Sequence, residues 1–385
     1  MKILHTSDWH LGHTLYNYDR TEEQADMMDQ VVEIARREQP DAFLLSGDVY
    51  HTSAPSAAVQ RRFADAILRL HEALPSMEIV VTAGNHDSGT RHEVVRDLWS
   101  LVRVHMIGAV DVEHPEELLV DIPGKGTVIA VPYLHERYMP AGFYPGLQRL
   151  AAERTPDGLP IVMMAHTTVE GCNFAGHDNA SERTVGGIDS LAVEQLGDGF
   201  DYLALGHIHR PQNISPRIRY SGTPLAVSFD ERFEHSVSVV DIPSRGAEPQ
   251  LRTVPIVELR PMVTLPTHEA QPLEEVMRQM EEFPDDSLAY IRLNVAVESF
   301  LPPNASAQAQ AVADRKQCRF CYINVVRTHA PAVENIGMTV TELRQIEPVD
   351  LARRYAEEKG AFFDEDLFSQ ALQQASLQQD EPLND

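Results

Sequence analysis

The chain has 385 residues, 43% of them apolar and 23% charged, and 58 Asp and Glu against 32 Lys and Arg give it a formal net charge of −26. That length allows a sizeable buried core and more than one domain, and the absence of any run of about eighteen apolar residues argues against a membrane span. Such acidity also argues against a general electrostatic grip on nucleic acid, because phosphate backbones are met by basic surfaces.

The first residues run straight into a strand-like segment, Lys2–Thr6, without the apolar core and cleavage site of a signal peptide. Together with only three cysteines, Cys172, Cys318 and Cys321, this places the expected chain in the reducing cytoplasm. Strands are predicted at Ala42–Leu45 and Glu78–Thr82, with helices between them at about Glu22–Arg37 and Ser56–Leu74. The first helix carries Met27, Val31, Ile34 and Ala35 at helical spacing. This alternation is the pattern of βαβ units. A strand-rich stretch follows, with short apolar runs at Val128–Val131, Ile161–Ala165, Tyr202–Leu205, Arg219–Tyr220 and Val237–Val240.

After Pro261 the pattern changes to a helix (Leu273–Phe283), a strand (Leu288–Val297), a Pro- and Ala-rich connection (Pro302–Ala313) and a strand from Phe320 to Val326. Cys318 and Cys321 form a lone CxxC with no second pair, which is better read as two small apolar residues than as a zinc or redox site. From Glu342 the chain reads as helical, with Phe363, Leu367, Ala371 and Ala375 at four-residue spacing. That end holds eleven Asp and Glu against four Lys and Arg, so part of the acidity is segregated from the rest. The predicted domains are therefore 1–260, a small α/β domain at 261–340, a helical segment at 341–377 and a disordered acidic tail at 378–385.

Chemistry concentrates where five apolar runs end. Asp8 and His10 follow the first, Asp48 follows Phe43–Gly47, Asn85 follows Ile79–Gly84, His166 follows Ile161–Ala165, and His207 with His209 follows Leu203–Gly206. The carboxyl ends of strands are where α/β sheets build sites. The pairs Asp8 with His10 and His207 with His209 are spaced so that, in extended backbone, each pair faces one locus. Carboxylate, imidazole and amide donors together suit Mn²⁺, Fe²⁺ or Zn²⁺, and an Asp48 carboxylate has two oxygens with which to bridge two ions. Two divalent ions bring about +4 against −2 from the aspartates, and with a hydroxide the centre keeps about +1, which attracts a phosphate oxyanion. Gly47, Gly84 and Gly206 precede these ligands and permit tight turns with close backbone approach. Other histidines, such as His71, His92, His105 and His268, lack a ligand neighbour at useful spacing. Arg61, Arg62, Arg183, Arg210, Arg217 and Arg219 are scattered, and on an acidic chain they read first as solvated or ion-paired.

The motifs Asp8-Trp9-His10, Gly47-Asp48, Gly84-Asn85-His86-Asp87, His166 and Gly206-His207-Ile208-His209 resemble those of the calcineurin-like metallophosphoesterases. The segment Asp48-Val49-Tyr50-His51, with Asp8-Trp9-His10-Leu11-Gly12, is similar to the DNA-repair nucleases of the SbcD type. The resemblance implies an α/β fold in which a two-sheet sandwich is flanked by helices, with a smaller α/β capping domain and a helical C-terminus. It implies one ion held by Asp8, His10, Asp48 and His209 and another by Asp48, Asn85, His166 and His207, most often manganese. By the same comparison His86 protonates or stabilises the leaving oxygen during in-line hydrolysis, and His51 either lies near the scissile phosphate or only packs or caps locally. Asp87 either orients His86 or serves as a turn or cap residue. The implied partners are DNA and an SMC-like coiled-coil ATPase, in a heterotetramer built on a homodimer, with work at the nucleoid and no membrane. A phosphatase or small phosphodiesterase on the same metal core is the alternative, and a metal-free scaffold is a further one.

Overall fold

The computed structural model describes residues 1–175, 190–298 and 300–327, together with 349, 353, 365 and 368. The chain divides into a compact unit, Met1–Val326, and a second unit, Arg327–Asp385. In the second unit Val349, Arg353, Glu365 and Phe368 are helical, and Arg353 pairs with Glu365 at 2.6 Å. The rest of the helical segment and acidic tail expected after 341 lies outside the described residues.

The first unit begins with β1 (Lys2–Thr6), α1 (Thr21–Glu38), β2 (Ala42–Ser46), α2 (Ala57–Ala73), β3 (Glu78–Thr82), α3 (Gly89–Ser100) and β4 (Val104–Ile107). Then come β5 (Leu119–Ile122), β6 (Gly126–Ala130), α4 (Phe143–Arg154), β7 (Ile161–His166), β8 (Tyr202–Gly206), β9 (Gln212–Ser215), β10 (Ile218–Tyr220), β11 (Ser236–Asp241) and β12 (Gln250–Pro255). These strands form two six-stranded sheets, in the orders β12-β11-β1-β2-β3-β4 and β5-β6-β7-β8-β10-β9. The strands β1 to β4 are mutually parallel, as are β6, β7 and β8.

Alternation along β2 shows how the layers are held. Ala42 and Leu44 face a core shared with Val128, Met163 and Leu203 of the second sheet, while Phe43 and Leu45 face Met27, Val31, Phe63 and Ile67 of α1 and α2. The strand is buried on both faces, which is why it reads as a continuous apolar run. Glu22 and Glu23 in the first turn of α1 and Arg36 and Arg37 in the last complement its dipole, and the Ser56 hydroxyl accepts from the Val59 N–H to cap α2.

A third sheet, β13-β14-β15, comprises β13 (Met262–Leu265), β14 (Tyr290–Val297) and β15 (Arg319–Arg327), with α5 (Leu273–Glu282) and α6 (Ala305–Ala313) completing its own core. The Pro- and Ala-rich connection expected at Pro302–Ala313 is thus mostly helix. Alanine is the best helix former, and Ala305, Ala309, Val312 and Ala313 place a buried stripe on one face. Cys318, just before β15, and Cys321, within it, are free thiols. Among the described residues no helix is long and apolar enough to cross a membrane.

Candidate metal centre

The two large sheets present their carboxyl ends to the same place. Asp8 and His10 follow β1, Asp48 follows β2 and Asn85 follows β3; opposite them, His166 ends β7, and His207 and His209 follow β8. The Ser46 hydroxyl donates to the Ala204 carbonyl at 3.1 Å, tying β2 to β8 just below the site.

The backbone is strained where the donors sit. Asp8, His10, Asp48 and His207 have φ of 54°, 43°, 50° and 94°, a left-handed region that costs a non-glycine residue about 1 kcal/mol or more. The Asp8 and His10 N–H groups donate to the carbonyls of Gly47 and Asp48, each at 3.0 Å, and the His207 N–H donates to the Asp8 carboxylate at 3.0 Å. These bonds hold the strained turns in register. A Cβ on Gly84 would sit 2.0 Å from Asp48 Oδ1 and 2.3 Å from its backbone nitrogen, and one on Gly47 would sit 2.1 Å from His166 Nδ1. The predicted close approach is real at both positions.

Two donor groups result. Ligand atoms of Asp8, His10 and His209 lie within 4.8 Å of one another, as do those of Asp8, Asp48 and His166. The Nε2 atoms of His10 and His209 are 3.1 Å apart, and Asn85 Oδ1 lies 3.0 Å from His166 Nε2 and 3.1 Å from His207 Nδ1. The expectation that each spaced pair grips one locus is therefore corrected. Asp8 and His10 do converge, but through left-handed turns rather than extended backbone. His207 and His209 separate, one toward Asn85 and the other toward His10, because the chain turns at His207.

Burial and the charges of neighbouring acids and imidazoles compete in this pocket. Asp8, Asp48, His10, His166 and His209 are all buried. Burial opposes ionisation of both carboxyls; around Asp48 the imidazoles of His166 and His10 outweigh it and hold that carboxyl below its ordinary range. Asp8 is pushed up by burial and by facing Asp48. Burial alone would lower His166, yet Asp48 and Asp8 raise it to about 9. His10, by contrast, is driven down by burial, and its Nδ1 has no hydrogen-bond partner among the described residues. His166 donates its Nδ1–H to the Ser46 carbonyl, so an Nε2 lone pair faces Asn85 Oδ1 at 3.0 Å; such a meeting of acceptors calls for a positive charge between them, and carboxylate, imidazole and amide donors fit a divalent ion.

The remaining predicted residues fall around this cluster. His51 and His86 stack with ring centroids 5.7 Å apart, and ligand atoms of His10, His51 and His86 also lie within 4.8 Å of one another. His86 Nδ1 lies 3.0 Å from the His51 carbonyl oxygen, so it carries a proton and donates. Asp87 is buried and accepts from the backbone N–H groups of Val49, Tyr50 and Gly84 at 3.0, 2.9 and 2.8 Å. Of the two roles expected for Asp87, these bonds favour the turn-holding one.

Sequence reasoning missed Glu231, whose carboxylate accepts from His209 Nδ1 at 2.8 Å and so aims Nε2 at the site. It sits in a loop with no motif, and nothing in the sequence distinguishes it from other acidic residues. Of the scattered arginines, Arg219 is buried and donates to Ser238 and Asn213, Arg217 pairs with Asp201 and Arg61 with Asp65, and Arg183 lies outside the described residues.

A two-sheet α/β sandwich with strand-end carboxylates and imidazoles gathered over both sheets defines a phosphoesterase architecture, and the calcineurin-like phosphoesterase family matches residues 1–211. The chain is also similar to proteins named as the SbcD component of the nuclease SbcCD. That of Rhodobacter capsulatus is 32% identical over 73% of this chain and 75% of its own length. That of Bacillus subtilis is 32% identical over 77% and 79%, and that of Escherichia coli 28% identical over 74% and 75%. The chain belongs to the calcineurin-like phosphoesterases and, within them, to the SbcD-type family. It is a hydrolytic enzyme that cleaves phosphodiesters, of a family that uses divalent metals.

Proposed function

We propose that this chain is the nuclease component of a DNA-processing complex, an exonuclease on double-stranded ends and an endonuclease on single strands and hairpins. The observation that carries the reading is the convergence of Asp8, His10, Asp48, Asn85, His166, His207 and His209 over the strand ends, taken with the nuclease names of the relatives. Asp8, His10, Asp48 and His209 would hold one ion, and Asp48, Asn85, His166 and His207 the other. Two divalent ions, manganese by preference, supply charge for the phosphodiester and an acidified water.

The protein's own groups do the rest. Glu231 and the Ser46 carbonyl orient His209 and His166 by accepting hydrogen bonds from their Nδ1–H groups. His86, with Nδ1 given to the His51 carbonyl, uses Nε2 to move a proton to the leaving oxygen. His51 packs against His86 and lines the same edge, while Asp87 holds both loops in place. The acidic surface approaches DNA through partners: a second copy of this chain and an SMC-like coiled-coil ATPase that docks on the C-terminal segment. We further propose the division at 260, 340 and 377, with the third sheet as a capping domain, and a cytoplasmic, nucleoid-associated location.

The test is cleavage of a labelled linear duplex and a hairpin by the full-length protein with its ATPase partner and ATP, in Mn²⁺ and in EDTA, beside Asp48→Ala. Cutting that needs Mn²⁺ and disappears in the variant supports the reading. Intact DNA with turnover of a small phosphodiester transfers it to the phosphodiesterase alternative.

A further inference from the structure

His209 reaches beyond its own sheet. Its Nδ1 donates to Glu231 Oε1 at 2.8 Å, and the other Glu231 oxygen accepts from the Thr223 hydroxyl at 2.9 Å. Glu231 stands at the end of a tight turn in which its N–H donates to the Ser228 carbonyl at 3.2 Å. That turn is gripped from outside by Arg292, on β14 of the third sheet. Arg292 is 4% exposed. Its Nη1 donates to Asp230 at 2.7 Å, its Nη2 to the Phe229 carbonyl at 3.3 Å and its Nε to Thr264 on β13 at 3.0 Å, and its guanidinium lies 5.3 Å from the Phe229 ring centroid.

A buried guanidinium that spends two nitrogens on a turn fixes that turn's backbone as well as its charge. Glu231 is the next residue after Asp230, so a shift of the turn moves the carboxylate that aims His209. An imidazole's direction is set by the group on its other nitrogen, so displacing that group changes metal affinity. We propose that Arg292 is a positioning residue for the metal centre, coupling the third sheet to His209 through the turn Ser228–Glu231. Movement of the third sheet is thereby transmitted first to the ion site that His209 serves, since Asn85 follows β3, His166 ends β7 against the Ser46 carbonyl of β2, and His207 follows β8.

The proposal rests on the metal-centre reading above, and the experiment separates them. Mn²⁺ binding to the metal-free, full-length protein is followed by titration calorimetry and by the electron paramagnetic resonance signal of paired ions. Arg292→Gln and Asp230→Asn are each expected to weaken one of two binding steps about tenfold, at the low end for outer-shell changes, and to leave the other step alone. The double variant should be no worse than the poorer single one, and Arg292→Lys should recover part of the loss. Asp230 is partly exposed, so its variant decides the question if Arg292→Gln does not fold. Unchanged binding in the variants overturns the proposal whatever happens to the melting temperature, and so does equal weakening of both steps. A wild-type chain that binds no Mn²⁺ overturns the metal reading itself and the proposal with it.

Discussion

His166 Nδ1 lies 2.9 Å from the carbonyl oxygen of Ser46, and its Nε2 lies 3.0 Å from Asn85 Oδ1. A carbonyl only accepts, so Nδ1 carries the proton and Nε2 presents a lone pair to an amide oxygen and to Asp48, 3.5 Å away. Either a second proton or a cation must sit there.

That competition has a pH signature. In the metal-free protein Asp48 and Asp8 overcome burial and raise His166 from 6.5 to about 9. A raised folded pKa gives stability that is full below 6.5 and lost as pH climbs through 9. The melting temperature of the metal-free protein should fall across that window, and saturating Mn²⁺ should flatten the fall. Calorimetric Mn²⁺ titrations at neutral pH in buffers of different ionisation enthalpy should register proton release. A melting temperature independent of pH, with no proton release, would contradict the lone-pair geometry.

Gly84→Ala is expected to destabilise the protein by about 2 kcal/mol and to weaken metal binding, because the new methyl overlaps Asp48. Gly146→Ala is the control: it lies in α4 with nothing among the described residues within 4 Å of the new atom and should stabilise by about 0.5–1 kcal/mol. Thermal melts with and without Mn²⁺ check both.

Asp87→Ala removes the acceptor for three backbone donors that join the Asp48 loop to the Asn85 loop. A loss of about 3 kcal/mol is expected, with weakened metal binding. Asp87→Asn should recover part of it. If Asp87 served mainly to tune His86, the variants would instead change the pH profile of cleavage while leaving stability and metal binding intact.

His86→Ala should bind Mn²⁺ like the parent and cleave DNA about 10²- to 10⁴-fold more slowly. Binding by calorimetry and single-turnover cleavage on the same preparation separate the two effects. Full-rate cleavage would remove His86 from proton transfer.

Much of this was legible in the sequence because ligands placed after apolar strands leave a repeated signature, and both faces of β1, β2, β3, β7 and β8 are buried. Helix α1 was equally clear, since Met27, Val31, Ile34 and Ala35 all face the core. Other elements hid for identifiable reasons. Helix α3 leaves Val94 and Leu98 exposed, which blurs its periodicity; β9 and β12 are edge strands with partly exposed residues; α6 looked like a linker because alanines pack without looking apolar enough. Asp8, His10 and Asp48 announced themselves by type, but their left-handed backbone did not. Glu231 and Arg292 were invisible, because what matters about them is the turn between them, which exists only in the folded chain.

The most direct measurement is anomalous diffraction at the manganese edge from crystals of the full-length protein grown with Mn²⁺. Two peaks about 3.5–4 Å apart are expected, one ligated by Asp8, His10, Asp48 and His209, the other by Asp48, Asn85, His166 and His207. A single peak, or a second one that does not touch Asn85 and His207, would contradict the two-ion account.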